Sequence, residues 1–255
     1  MRNLTACAAM VSLVALMGKP FPLSWRQWWP ALLFAAFNGS AFALIFWGQQ
    51  HISSGEAAVL VGTMPLFSLF LAAVWNRERI ARFQLPAVVI GILGVVLVTE
   101  MYKGGWSAHD AVRILSEAAM IGAAFCYAVS YAVNKRYFVG DIYWNTAIHL
   151  GASGLYLLGL SLALERPAGL PLGEAAGWWA LLYLAIPGSA LAYWLMFYLL
   201  KHLDSVTVSY VTLINPVVAV ILGVLLLGEP LTGGMILGTL FVTAGAWLVS
   251  RPKAG

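Results

Sequence analysis

Residues 205–231 read SVTVSYVTLINPVVAVILGVLLLGEPL, and this stretch decides the fold. From Ser205 to Leu227 it runs 23 residues without a charge, enough for a helix to cross a hydrocarbon layer of ~30 Å. Asn215-Pro216 interrupts it in mid-run, and Gly228-Glu229-Pro230 ends it. A related stretch, SSGEAAVLVGTMPLFSLFLAAVWNRERI, begins at Ser53. Shifted by 151 positions, His51 falls on His202, Ser54 on Ser205, Pro65 on Pro216 and Glu78 on Glu229. Gly94 meets Gly245, and Leu97-Val98 meets Leu248-Val249, on the same shift. One gapless offset over 48 positions marks a duplicated unit, not a coincidence of apolar composition.

Working outward, the bulk composition is that of a membrane protein. Apolar residues make up 62% of the 255 and charged residues only 9%, with a mean hydropathy of +0.86. A soluble domain of this size needs far more charge to cover its surface. The gaps between apolar runs are too short for an extramembrane domain with its own core. Net charge is +4, yet no aromatic-rich basic patch lies outside the apolar runs, so no nucleic-acid partner is expected. Cys7 and Cys126 sit inside apolar runs and read as free core thiols, with no disulfide, metal site or cofactor expected.

The spacing predicts nine helices: 1–17, 28–50, 54–75, 84–99, 114–133, 143–164, 177–200, 205–227 and 233–249. Helix is the only assignment that satisfies every backbone polar group in lipid, since these runs are too long for barrel strands. Pro30 is placed in the first turn of its helix, where a missing N–H costs little. Asn38-Gly39-Ser40 is expected to break that helix in the middle, and residues 100–113 to form a loop.

Assigning alternate loops to one side puts ten Lys and Arg on one face, Lys19, Arg26, Arg77, Arg79, Arg82, Lys135, Arg136, Lys201, Arg251 and Lys253. Four remain for the other: Arg2, Lys103, Arg113 and Arg166. The basic face is the cytoplasmic one, so the carboxyl terminus is expected in the cytoplasm of a multi-pass cell-membrane protein, the inner membrane in a Gram-negative cell. Matching helices lie an odd number of spans apart, so the two units are expected to run antiparallel. Inverted repeats of this kind build many secondary transporters, with the solute site at the repeat interface.

With its Pro-kinked helix, its Gly-Glu-Pro-Leu turn and its Gly-rich last helix, the chain resembles the EamA family of the drug/metabolite transporter superfamily. NPVVAVILGVLLLGEPL carries the likeness most strongly; in the first unit Asn76-Arg77-Glu78 replaces the Gly-Glu. The resemblance implies an all-α polytopic protein made of two five-helix repeats, here residues 1–100 and 114–251. It also implies a permease moving amino acids, metabolites, sugars or drugs. Run backwards, the offset leaves about 37 residues of the first repeat without a counterpart, room for one ~20-residue span, a loop and part of another. The expectation is therefore nine helices present, with the first of ten missing.

Candidate residues fall into four groups. Pro65 and Pro216 cannot donate to the carbonyls of Val61 and Thr212, so each helix should bend there and act as a paired hinge; packing geometry alone is the alternative. Pro187-Gly188-Ser189, with Asn38 and Ser40 in the first unit, could loosen the backbone beside a polar solute, or form a notch for helix packing. Tyr127, Tyr131, Tyr193, Tyr210 and Asn215 could line a cavity, although most membrane aromatics belong to interfacial belts. His149 and Glu117 are intramembrane ionisable residues and so candidate functional groups, or else hydrated near an interface. Glu78 and Glu229 precede the next helix, where a carboxylate favours the positive end of the dipole, a structural role.

The reading that follows is a secondary transporter exporting a small organic metabolite or drug-like solute by alternating access. A small solute and the lipid bilayer are its expected partners, with a homodimer left open. The alternatives are a membrane enzyme, for which the four scattered histidines give no catalytic spacing, and a non-transporting membrane subunit.

Overall fold

The computed structural model describes residues 1–22, 24–75, 84–99, 108–164, 175–203, 208, 211–228 and 231–249. Among the described residues all regular structure is helical, in nine helices. These are α1 (Arg2–Leu16), α2 (Trp25–Gly48), α3 in two pieces (Ser54–Val61 and Met64–Trp75), α4 (Gln84–Thr99) and α5 (Ala108–Tyr137). They continue with α6 (Ile142–Leu164), α7 in three pieces (Ala175–Ala185, Ile186–Leu191 and Ala192–His202), α8 (Val211–Leu227) and α9 (Gly233–Val249). Five are apolar and long enough, at 22–27 residues, to cross a membrane; α1, α4, α8 and α9 are shorter and apolar.

The polarity of the fold is inverted relative to a soluble bundle. Leu226 is 74% and Trp179 73% exposed, while Asn38, Asn145, His149 and Ser153 are buried. Large apolar side chains on the outside are unfavourable in water and neutral in hydrocarbon, so this distribution suits a lipid surround.

Side-chain caps set several helix starts. The Ser53 hydroxyl accepts from the Glu56 N–H at 3.1 Å and opens α3. Asp141 Oδ1 accepts from the N–H groups of Tyr143 and Trp144 and opens α6, and Thr232 Oγ1 does the same for Met235 in α9. Gly18 (φ 62°) and Gly228 (φ 64°) follow the last turns of α1 and α8 in the left-handed conformation that ends a helix.

Three expectations are corrected. α2 does not break at Asn38-Gly39-Ser40 but runs unbroken to Gly48. The ring of Tyr156 fills the notch over Gly39, where a Cβ would lie 2.6 Å from its Cδ1, and the Tyr156 and Ser40 hydroxyls are 3.0 Å apart. α2 also starts at Trp25, so Pro30 stands beyond its first turn. α5 begins at Ala108, so residues 108–113 are helix and Glu117 lies more than two turns inside it. Glu78, Tyr210, Glu229, the Arg77–Arg82 cluster and Lys253 lie outside the described residues.

Two compact units appear, and neither is a sequence repeat: one is formed by residues 1–40 and 133–204, the other by 41–132 and 205–255. In the first unit α1 lies along α6. Asn3 Nδ2 donates to Ser153 Oγ at 3.0 Å, and Cys7 Sγ sits 3.3 Å from the Ala147 carbonyl. The contact moves down α6 as it moves up α1, so the pair is antiparallel. Ala6, Met10, Ala147, Leu150, Ala185 and Ala190 make its core.

In the second unit α4 packs on α9 and α3 on α8. A Cβ on Gly94 would come within 2.6 Å of the Val242 nitrogen, and one on Gly245 within 2.7 Å of the Gly91 nitrogen. Under the shift of 151 these two contacts are one contact with its partners exchanged, because Gly94 becomes Gly245 and Gly91 becomes Val242. Ala87 also approaches Gly245, and Val98 approaches Gly238, so this pair too runs antiparallel. Helices that lack a hydrophobic drive toward each other gain from such close backbone approach.

Candidate functional site

Positions 38, 149 and 193, far apart in sequence, converge in the first unit. Asn38 is carried by α2, His149 by α6 and Tyr193 by the last piece of α7. The Tyr193 hydroxyl donates to Asn38 Oδ1 at 2.8 Å. The His149 ring stands 4.5 Å from that of Tyr193 and 4.6 Å from that of Phe34, both edge to face. Phe197 closes on Phe34 at 4.9 Å and on His149 at 5.7 Å. All of His149, Phe34 and Phe197 are fully buried.

This cluster leaves hydrogen bonds unmade. Among the described residues, Asn38 Nδ2 and both His149 nitrogens have no partner, and one turn away on α6 neither has the Asn145 amide. A buried polar group without a partner costs ~1–3 kcal/mol, so several such groups in one apolar layer are a feature that packing alone does not favour. Chemically the layer offers an amide N–H donor and an imidazole, framed by aromatic edges.

The π-helical turn Ile186–Leu191 lies just before Tyr193. Pro187 has no N–H for the Tyr183 carbonyl, and the Ser189 hydroxyl donates to the Leu184 carbonyl at 2.9 Å. The turn is thus built by Pro187 and Ser189 together, and such turns recur at functional sites. Ser189 is fully buried and already spent on this bond. Ser40 pairs with Tyr156, as above.

The other candidates sit in the second unit. Tyr127 meets the Phe42 ring edge to face at 6.1 Å, and Tyr131 is half-buried on the same helix. Asn215 is exposed on α8. Pro65 follows the break in α3, where Thr63 Oγ1 donates to the Leu60 carbonyl at 2.6 Å. Pro216 lies inside α8, which runs unbroken through it. Gly62, at the break, faces the Pro216 ring, where a Cβ would come within 2.8 Å. The break that precedes Pro65 therefore packs against Pro216.

Sequence reasoning passed over Glu56 and the way it joins Glu117. Arg113 Nε donates to Glu117 at 3.0 Å, and its Nη2 to Glu56 at 3.2 Å. The two carboxyl groups, on α3 and α5, are both buried while the guanidinium is 42% exposed. The i,i+4 spacing of Arg113 and Glu117 was the available signal; the contact with Glu56 needs the tertiary fold. Phe34 and Phe197 were likewise indistinguishable from lipid-facing aromatics.

Among the described residues, an all-helical architecture with five full-length apolar spans, exposed apolar and buried polar side chains, defines a multi-pass membrane protein. The EamA-like transporter family matches it over residues 1–100 and 114–251, and the chain belongs to that family. It is 26% identical over 249 residues to protein PecM of Dickeya dadantii, covering 95% of this chain and 80% of that one. It is 28% identical over 225 residues to the uncharacterized inner membrane transporter YedA of Escherichia coli K12, with 85% and 70% covered. An uncharacterized transporter of Archaeoglobus fulgidus is 26% identical over 246 residues, with 96% and 84% covered. A protein crystal structure matches the fold with a TM-score of 0.68 at 16% identity, over 97% of this chain and 85% of that one.

Proposed function

We propose that this transporter-family chain is a secondary transporter that moves a small organic solute across the cell membrane by alternating access, with export as its direction. The buried layer of Asn38, His149 and Tyr193, short of hydrogen-bond partners among aromatic edges, carries this reading. A solute that supplies those bonds is held there. An inverted repeat supplies the means of exchange. Its support is that α1 with α6, α3 with α8 and α4 with α9 are helix pairs matched by the duplication, each packed together. The meeting of Gly62 with Pro216 supports paired hinges at the two prolines.

Reconstitution into proteoliposomes tests the reading. A panel of labelled metabolites, assayed for flux against empty vesicles, is expected to yield at least one substrate whose flux falls tenfold or more in His149→Ala or Asn38→Ala. Flux of no panel member above the empty-vesicle rate, from correctly inserted protein, overturns it. Sidedness follows from comparing inside-out with right-side-out vesicles.

A further inference from the structure

Three parts of the chain meet at one end of the first unit, and that end is rich in cations. Lys19 lies between α1 and α2, and its Nζ pairs with Asp141 at the start of α6. Gly140, just before that acid, packs on the Gln27 side chain of α2, where a Cβ would come within 3.2 Å of Nε2. Lys135, in the last turn of α5, donates to the Leu200 carbonyl of α7 at 3.0 Å. Arg26, Arg136 and Lys201 belong to the same three places. Against these cations Asp141 is the one acid among the described residues of the unit.

The cations are not equally committed. Lys19 is held by Asp141 and stands 4.3 Å from the centre of the Tyr143 ring, and Lys135 is spent on the end of α7. Arg26 and Lys201 are exposed and make no ion pair or hydrogen bond among the described residues. Arg26 also stands in the first turn of α2, which holds no acid, so the positive end of the helix dipole adds to its charge. This end therefore attracts anions.

Its other surface is poorly suited to water. Trp25 is 67% and Phe21 52% exposed, and the rings of Trp29 and Tyr137 lie 4.8 Å apart between centres. Such rings favour the level of lipid headgroups. Beside them a cavity of about 580 Å³ opens between the α1–α2 connection and the start of α6. Its wall joins apolar surface from Phe21, Val139 and Ile148 to the polar side chains of Lys19, Ser24 and Gln27. Ser24 and Gln27 flank Trp25 and Arg26 in the chain, so cavity wall, free cation and exposed ring share one short stretch. A soluble anion would use the cations and leave the rings and the apolar wall in water. A lipid with an anionic headgroup uses all three.

We propose that this end of the first unit binds an anionic diacyl phospholipid. The phosphodiester pairs with Arg26 at the start of α2, and the glycerol esters occupy the cavity mouth among Phe21, Ser24 and Gln27. The acyl chains run along the apolar exterior, and Lys201 adds charge at the same end. A zwitterionic lipid carries an ammonium beside its own phosphate, so it gains less from a cation that lacks a counter-ion.

Native mass spectrometry of the purified full chain, titrated with phosphatidylglycerol or with phosphatidylcholine of the same acyl chains, tests the site. Bound phosphatidylglycerol is expected at concentrations about tenfold lower than phosphatidylcholine needs. Arg26→Gln should reduce that preference about fivefold, and the double variant Arg26→Gln, Lys201→Gln should abolish it. Arg2→Gln, which removes a cation at the opposite end of α1, should leave it unchanged. Since Arg26 is exposed and unpaired, Arg26→Gln should keep the wild-type thermal midpoint in phosphatidylcholine nanodiscs. In phosphatidylglycerol nanodiscs the wild-type midpoint should rise, and that of Arg26→Gln should rise less. Excess glycerol 3-phosphate, a soluble anion, should not displace the lipid. Equal retention of the two lipids, displacement by glycerol 3-phosphate, wild-type preference in a folded Arg26→Gln, or an equal loss in Arg2→Gln overturns the site. The first two comparisons use the unaltered chain, so they decide the matter even where a variant misfolds.

Discussion

At the residue scale, the Tyr193–Asn38 bond and the His149 ring hold the buried layer in place. Tyr193→Phe keeps the ring contacts but leaves Asn38 Oδ1 without its donor. It is expected to lower stability by ~1–2 kcal/mol and to cut flux more than fivefold, read by thermal unfolding and vesicle transport on the same preparation. Arg113 sets a second case, since it answers two buried carboxyl groups. Arg113→Gln leaves both uncompensated, whereas Glu56→Gln leaves one pair intact. The Arg113 variant should therefore be the less stable of the two, by about 1–2 kcal/mol; removal of one partner from a fully buried pair costs ~3–5, discounted here because the guanidinium is partly exposed and screened. Thermal midpoints of the two variants, in the same lipid, decide the order. A reversed order would mean that the guanidinium is solvated independently of both acids. Residue types alone signalled His149 and Glu117, since ionisable groups are rare inside spans. They could not signal Glu56, whose backbone N–H is capped by the Ser53 hydroxyl while its carboxylate pairs with Arg113 of another helix.

At the element scale, close helix packing and helix interruptions behave differently under substitution. A Cβ on Gly245 would meet backbone atoms of Ala87 and Gly91, which cannot swing aside as a flexible side chain would. Gly245→Val should force α4 and α9 apart and cost ~1–3 kcal/mol or more. Gly159, with open space around it, is the control: Gly159→Ala should be neutral or slightly stabilising, by up to ~1 kcal/mol. Expression level and thermal midpoint check both. At the prolines, Pro216→Ala restores a backbone donor inside α8, while Pro65→Ala permits α3 to close its break at Gly62-Thr63. Both are expected to reduce flux severalfold with folding retained, and normal flux in the two variants at unchanged expression would remove the paired hinge. The alanine at 65 should have the larger structural effect, because the break in α3 is present there and α8 is already continuous. Symmetric placement in sequence thus led to unequal local structure. Proline only removes a donor and adds a clash; whether the helix breaks or absorbs the strain depends on what packs against it, here Gly62 against the Pro216 ring.

At the scale of the whole molecule, the charge asymmetry leads to an expectation about sidedness. A cysteine placed at Lys253, in a chain whose Cys7 and Cys126 are replaced by alanine, should react with an impermeant maleimide only after the membrane is opened. Labelling in intact cells would reverse the assigned orientation. The sequence by itself determined the class of protein, the number of helices found among the described residues and the duplication. Each rests on one-dimensional quantities: the length of an uncharged run against the thickness of hydrocarbon, and identity at a constant offset. These leave no dependence on how helices pack. Tertiary structure decided the rest. It joined Asn38, His149 and Tyr193 from three helices, turned Pro187-Gly188-Ser189 into a π-helical turn with its serine spent, and kept α2 unbroken under the Tyr156 ring. It also assembled its compact units from segments of both repeats. The physical reason is that in lipid every face of a span is apolar, so periodicity does not mark the inward side. Which polar groups meet, and which are left without partners, is fixed only when the helices are packed.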